Sequence, residues 1–174
     1  MRNFNNSRLS IVVPCHNEEE SVLSCHKQLT EIILNITGLK YQIVFVNNGS
    51  TDNTLKCLLQ IKETDSNIKI LDLRNNYGYQ GSITAGLFNA DYEMIISIDA
   101  DLQDDPTKIK EMVDLYLEGY DMILGVRKNR KSDNFFKRNL AVYFYRLSTL
   151  LGVKTLSNHG DFRLLSNSLV NDLK

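Results

Sequence analysis

The stretch MIISIDADLQDDP, residues 94–106, passes from a mostly apolar segment, part of a strand expected at residues 93–98, into four aspartates. Its first half has the length and β-branched content of a buried strand. Its second half surfaces into negative charge, and that change of character needs a chemical reason. In extended backbone, residues i and i+2 point to the same side, so Asp99 and Asp101 face one point just beyond the strand's carboxyl end. Asp104 and Asp105, directly before Pro106, instead suit the start of the next helix, where a carboxylate caps free N–H groups and favours the positive end of the dipole.

Outward from this strand, similar short apolar runs occur at residues 9–13, 41–46, 68–73 and 120–126, and the stretches between them have helical spacing. In the first of these stretches Val22, Leu23, Leu29, Ile32, Ile33 and Ile36 form an apolar face that ends near Thr37-Gly38. In the second, Ser50 or Thr51 supplies a cap and Asp52 favours the dipole. Strand and helix in alternation predict an α/β fold, a mostly parallel sheet with helices on both faces and right-handed crossovers. Residues 1–174 read as a single domain with no internal linker or repeat.

Composition narrows the function classes. The chain has 20 basic and 21 acidic residues and a formal charge of -1, so no overall field draws it to nucleic acid. No apolar run approaches the roughly 18 residues of a membrane span, and the start lacks a secretory signal, so a cytosol-facing chain is expected. Three cysteines argue against a disulfide framework. Cys15-His16 and Cys25-His26 fit no common zinc spacing, and both cysteines read as small buried residues.

A sheet of this kind binds ligands beyond the carboxyl ends of its strands. There the sequence places Pro14-Cys15-His16-Asn17-Glu18, Asn47-Asn48-Gly49-Ser50, Arg74-Asn75-Asn76 and Asp99-Ala100-Asp101. Any one polar strand exit is ordinary, but four together predict one crevice. Neither G-x-G-x-x-G after the first strand nor G-x-x-x-x-G-K-[ST] occurs, so a bound phosphate has to be held otherwise. Two strand-end carboxylates suit Mg²⁺ or Mn²⁺, whose shell is completed by water and substrate phosphate oxygens. Gln103 extends the same set with an amide oxygen.

The segments SIVVPCHNEEE, VFVNNGSTDNT, LRNNYGYQGSITAGL and SIDADLQDDP, in this order, resemble family 2 glycosyltransferases of the GT-A fold, over nearly the whole chain. GVRKNR, FFKRNLAVYFYRLS and NHGDFRLLS are similar to the polyprenyl-phosphate glycosyltransferases and the dolichyl-phosphate mannose synthase group. The resemblance implies transfer of a sugar, with inversion, from a nucleotide diphosphosugar to a polyprenyl phosphate. It assigns Pro14, Asn17, Glu18, Asn47, Asn48, Arg74, Asn75 and Asp99 to the nucleotide and Asp99, Asp101 and Gln103 to the metal. Arg127 and Arg138 then hold the acceptor phosphate, for which a guanidinium fork is suited, and Asp161 matches the acid of a G-D-F-R element.

The family commonly has Asp-Asp where this chain has Asn47-Asn48. An amide oxygen accepts one N–H but the amide nitrogen accepts none, which favours UDP over GDP. Residues 127–138 carry six basic residues against Asp133. For Lys128, Arg130 and Lys131 this reads equally as a solvated face or as attraction to a membrane surface, and residues 140–153 as an interfacial or a core-packed helix. The family pattern further implies a C-terminal continuation with membrane spans and a place on the cytoplasmic face of the membrane, and it leaves homo-oligomers open. Two other readings stand beside it: a non-catalytic sugar-nucleotide-binding module, and a haloacid-dehalogenase-type phosphatase, whose D-x-D would follow the first strand rather than the fourth.

Overall fold

The structure, a computed structural model, describes residues 7–126 and 159–174, with the backbone alone for residues 159 and 160. In chain order the elements are β1 (Arg8–Cys15), α1 (Val22–Leu34), β2 (Lys40–Asn48), α2 (Thr54–Thr64), β3 (Ile68–Leu73), α3 (Gly78–Phe88), β4 (Met94–Ser97), α4 (Ile109–Glu118), β5 (Met122–Val126), β6 (His159–Ser166) and α5 (Asn167–Asp172). A 3₁₀ turn, Pro106–Lys108, leads into α4.

The six strands form one sheet in the order β3-β2-β1-β4-β6-β5. β1 pairs in parallel with β2 and β4, and β2 with β3. β6 runs antiparallel to both β4 and β5. The expected mostly parallel sheet is therefore present, but β5 does not lie beside β4. The strand between them comes from the G-D-F-R segment, whose Gly-Asp start has a turn-like composition and masks a strand.

Side chains alternate between two cores, as the pleat requires. Ile11, Val13, Ile43, Phe45 and Ile96 face one core with α1, α2 and α4, and Val12, Val44, Val46 and Ile95 face the other with α3 and α5. α1 buries Val22, Cys25, Leu29 and Ile33, whereas Leu23, expected on the apolar face, is 50% exposed. Cys25 occupies the buried stripe in its place. α3 lies close on the sheet because residue 86 is glycine: a Cβ there would stand 2.2 Å from Val12 Cγ1. Among the described residues, no helix is long and apolar enough to cross a membrane.

Candidate functional site

The carboxyl ends of β1, β2 and β4 and the start of α3 enclose a crevice of about 370 Å³. Of the residues expected there, Pro14, Glu18, Asn48, Asp99 and Asp101 line it. Asn17, Asn47, Arg74, Asn75 and Gln103 do not border it, while Cys15, His16, Asn76, Tyr79 and Ser82 do. Arg127 and Arg138, with Lys128, Arg130, Lys131 and the helix expected at residues 140–153, lie outside the described residues.

The loops after β1 and β2 lock onto each other. Asn17, at φ 56, is in the left-handed region that asparagine tolerates better than most residues. Its N–H donates to Ser50 Oγ at 3.1 Å, and its Oδ1 accepts from the Thr51 N–H at 2.8 Å. Glu19 accepts from both N–H groups of Asn53, and Glu18 N–H donates to Thr54 Oγ1. Glu18 itself accepts from the Ser21 hydroxyl. Neither Ser50 nor Thr51 caps α2. The N-cap position is Asn53, which makes no side-chain cap bond, and the Asp52 carboxylate before it accepts from the Thr54 N–H and hydroxyl. Burial alone would raise the Asp52 pKa, but these bonds outweigh it and hold the carboxyl below its ordinary range.

Asn48 is a rivet rather than a free recognition group. Its Nδ2 donates to Asn76 Oδ1 and to the Gly78 carbonyl, and its Oδ1 accepts from the Tyr77 N–H. His16 Nδ1 lies 2.9 Å from the Asn48 carbonyl oxygen. Asn47 donates to Asp72 at 2.7 Å, and its buried Oδ1 has no partner among the described residues. Gly49, at φ 63, permits this closeness: a Cβ there would lie 2.6 Å from the backbone of Asn75 and Asn76. Arg74 is exposed at the end of β3.

The β4 end is different in character. The chain turns sharply through Leu102, a non-glycine residue at φ 50, with Leu102 N–H donating to the Asp99 carbonyl. Asp99 is partly buried and accepts the Tyr79 hydroxyl at 2.6 Å. Burial raises its pKa most; the Tyr79 bond opposes this, and the nearby Asp101, Asp161 and Asp104 push it further up, so the net shift is upward. Tyr79 in turn has its phenol pKa raised, first by burial and then by Asp99. Asp101 is exposed and is held by Gln103, whose backbone N–H and Nε2 reach its two oxygens at 3.2 and 2.8 Å. As oriented, Gln103 offers Asp101 its amide nitrogen and not its oxygen. Asp105 caps as expected, accepting from the Thr107 N–H and hydroxyl.

Asp161, on β6, is brought close enough to raise the Asp99 pKa. Its carbonyl accepts the Ser97 hydroxyl at 2.6 Å, and its carboxylate pairs with Arg163 at 2.7 Å. Tyr79 carried no signal in the sequence beyond its place two residues after Tyr77; only the turn of α3 toward β4 reveals it. Cys15 and Cys25 are both buried, as expected, and burial raises the Cys15 thiol pKa well above its usual value and the Cys25 thiol to about 12.

The β4 end has the right donors for a hard divalent cation. Asp99 and Asp101 both border the crevice, and a cation there relieves like charges that crowd one another. Among the described residues no three Asp, Glu, His or Cys side chains form a ready-made cage.

Residues 10–174 match the family described as Glycosyl transferase family 2. The chain is 39% identical over 166 residues to the protein named Uncharacterized glycosyltransferase YkcC of Bacillus subtilis (strain 168), covering 95% of this chain and 51% of that protein. It is 34% identical over 168 residues to the Prophage bactoprenol glucosyl transferase homolog of Escherichia coli (strain K12), covering 96% and 55% respectively. It thus spans about half the length of the curated relatives it matches. Among solved structures, the mannosyltransferase PcManGT of Pyrobaculum calidifontis, in complex with GDP-Man and Mn²⁺, superposes with a TM-score of 0.67 at 19% identity, covering 97% of this chain and 47% of that one. Glucosyl-3-phosphoglycerate synthase of Mycobacterium tuberculosis, with Mn²⁺ and UDP, gives 0.60 at 20%, covering 94% and 58%. Fold and sequence agree: the chain has the GT-A fold and belongs to glycosyl transferase family 2.

Proposed function

We propose that this chain is the donor-binding part of an inverting glycosyltransferase that moves a sugar from a nucleotide diphosphosugar, a UDP-sugar in preference, to the phosphate of a polyprenyl lipid. The observation that carries this reading is the convergence of Asp99 and Asp101 on a crevice whose other walls come from the β1 and β2 ends. The bactoprenol glucosyl transferase relatives support the acceptor class. The preference for UDP rests on the second strand end. Asn47 and Asn48 stand where the family commonly has two carboxylates, and an amide oxygen suits a base with a single N–H edge better than the two-donor edge of guanine.

Mg²⁺ or Mn²⁺ bound at Asp99 and Asp101, with Gln103 beside them, supplies neutralisation of charge on the departing nucleotide diphosphate. The chain's own residues do the rest. The β1 and β2 loops, locked through Asn17, Glu19 and Asp52, fix the nucleoside wall, including Pro14 and Glu18, before ligand arrives. The acceptor is already an anion, so no strong general base is required, and Asp161 orients the approach or holds a sugar hydroxyl. Arg127 and Arg138 are assigned to the acceptor phosphate, and Arg74 and Asn75 to the outer nucleotide side, on the family pattern. The full-length protein is placed at the cytoplasmic face of a membrane on the same ground.

A thermal-shift screen of UDP-, GDP- and CDP-sugars, with and without Mn²⁺, tests the reading. Stabilisation by UDP-sugars with Mn²⁺ is expected, because a ligand that binds only the native state raises its stability by mass action. Stabilisation by none of them would overturn it. Nucleotide binding without transfer, measured on the full reading frame with lipid acceptor in liposomes, would replace it with a non-catalytic sugar-nucleotide-binding module.

A further inference from the structure

Tyr79 sits where no strand ends, yet it reaches the acid at the end of β4. Three bonds hold the two residues before it in place. Asn48 Oδ1 accepts the Tyr77 N–H, Asn48 Nδ2 donates to the Gly78 carbonyl, and Asn76 Oδ1 accepts the Gly78 N–H at 2.8 Å. Gly78, at φ 74, lets the chain turn into α3 at this point. The first turn of α3 therefore starts from a fixed origin, and the partly buried Tyr79 ring leans over the crevice.

The phenol donates to Asp99 Oδ1 at 2.6 Å, within the range of a short hydrogen bond to a carboxylate. Oδ2 of Asp99 has no comparable partner among the described residues. A carboxylate with both oxygens free can rotate about its terminal torsion or chelate through both atoms. A carboxylate with one oxygen tied to a phenol that is anchored on another element is restrained in that rotation, and its second oxygen is held in one direction.

We propose that Tyr79 is a positioning residue for the divalent-ion site: by occupying Asp99 Oδ1 it fixes the orientation in which Asp99 Oδ2 meets the ion. The inference rests on the reading of Asp99 as an ion ligand given above. It adds that the start of α3, anchored to the end of β2 through Asn48, is mechanically part of the ion site. Outer partners that hold metal-ligating carboxylates are commonly worth 10–100-fold in metal affinity, and this bond has the geometry of such a partner.

The test is Mn²⁺ titration followed by electron paramagnetic resonance, with and without UDP, on the wild type, Tyr79→Phe and Asp99→Asn. Asp99→Asn identifies the signal that belongs to this site. Tyr79→Phe keeps the ring and removes only the donor. It is expected to weaken Mn²⁺ binding about tenfold and to change the spectrum of the bound ion, while metal-free UDP binding stays within about twofold of wild type. A Mn²⁺ affinity within twofold of wild type with a superimposable spectrum overturns the proposal. So does an equal weakening of metal-free UDP binding, which would mark a purely structural role. Wild-type protein that binds Mn²⁺ but no UDP removes the nucleotide reading alone, and the Mn²⁺ comparison still decides Tyr79. Wild-type protein that binds no Mn²⁺ overturns both.

Discussion

Asp52 and Asp99 follow the ends of β2 and β4, the strands on either side of β1, and their surroundings move them in opposite directions. Around Asp52 the side-chain oxygens meet donors: Thr54 and Glu19 N–H groups for Asp52, Asn53 for Glu19, and Thr51 for the Asn17 oxygen. Around Asp99 there is one phenol, and Asp101, Asp104 and Asp161 are close by. Burial works to raise both pKa values; hydrogen bonds reverse it at Asp52, and neighbouring charge adds to it at Asp99. Acidic residues in the same rim thus divide into a self-satisfied scaffold and a charged cluster with capacity left for a ligand.

The sharpest way to break this contrast is on the cluster side. Asp101→Asn is expected to lower sugar transfer by the full-length enzyme at least about 100-fold in saturating Mn²⁺, since even outer-shell partners of a metal site are worth 10–100-fold. Its melting temperature should stay unchanged or rise, because a like charge is removed from the crowd. Comparing initial rates and thermal melts on one preparation checks both halves, and unchanged transfer contradicts the metal role.

On the scaffold side the expectation is reversed. Asn48→Asp cannot donate to Asn76 Oδ1 or to the Gly78 carbonyl, and it places a buried carboxylate against both. A loss of about 2 kcal/mol in urea unfolding is expected, from lost donors and an unsatisfied buried group. The Asp common at such positions in the family is therefore not interchangeable here, and an unperturbed midpoint would show that Asn48 is no rivet.

The smallest effect lies away from the crevice and tests how far hydrogen bonding lowers an acid. Asp65 meets His26 Nε2 at 3.0 Å and accepts from the Asn67 N–H. Burial would raise its pKa, but these contacts outweigh it and hold the carboxyl below its ordinary range. A depressed acid adds stability that is fully present above its unfolded pKa and is lost as the pH falls through the folded one. Asp65→Asn should cost about 1 kcal/mol at neutral pH, and the difference from wild type should shrink toward zero on acidification below about pH 4. A difference that persists unchanged at low pH would remove the electrostatic explanation.

Much of this was legible in advance because it follows from short-range pattern. The apolar run at residues 68–73 became a strand at that position, the run at 93–98 became the shorter β4 at Met94–Ser97, and the i, i+2 pair Asp99 and Asp101 came to the crevice together. Features set by long-range packing were not legible. Leu23 has the hydropathy of a core residue, but the turn of α1 that faces the sheet selects Cys25. Asn17 and Asn48 lie in the expected loops, yet their side chains bind other loops, which depends on how strand ends meet and not on spacing. Tyr79 was invisible for the same reason, since its partner is 20 residues away, just past the end of β4.

The place of β6 has a consequence for how the molecule is made. Ser97 on β4 and Asp161 on β6 are bonded across a separation of 64 residues. At about 5–20 residues per second, synthesis leaves an interval of roughly 3–13 s between them. During that interval β1, β2 and β3 can already be joined to β4, whose other side presents unpaired N–H and C=O groups beside Ile95 and Ile96. The strand that delivers the two acids is thus the nascent chain's temporary sticky edge, and chaperone capture or misassembly during translation should begin there.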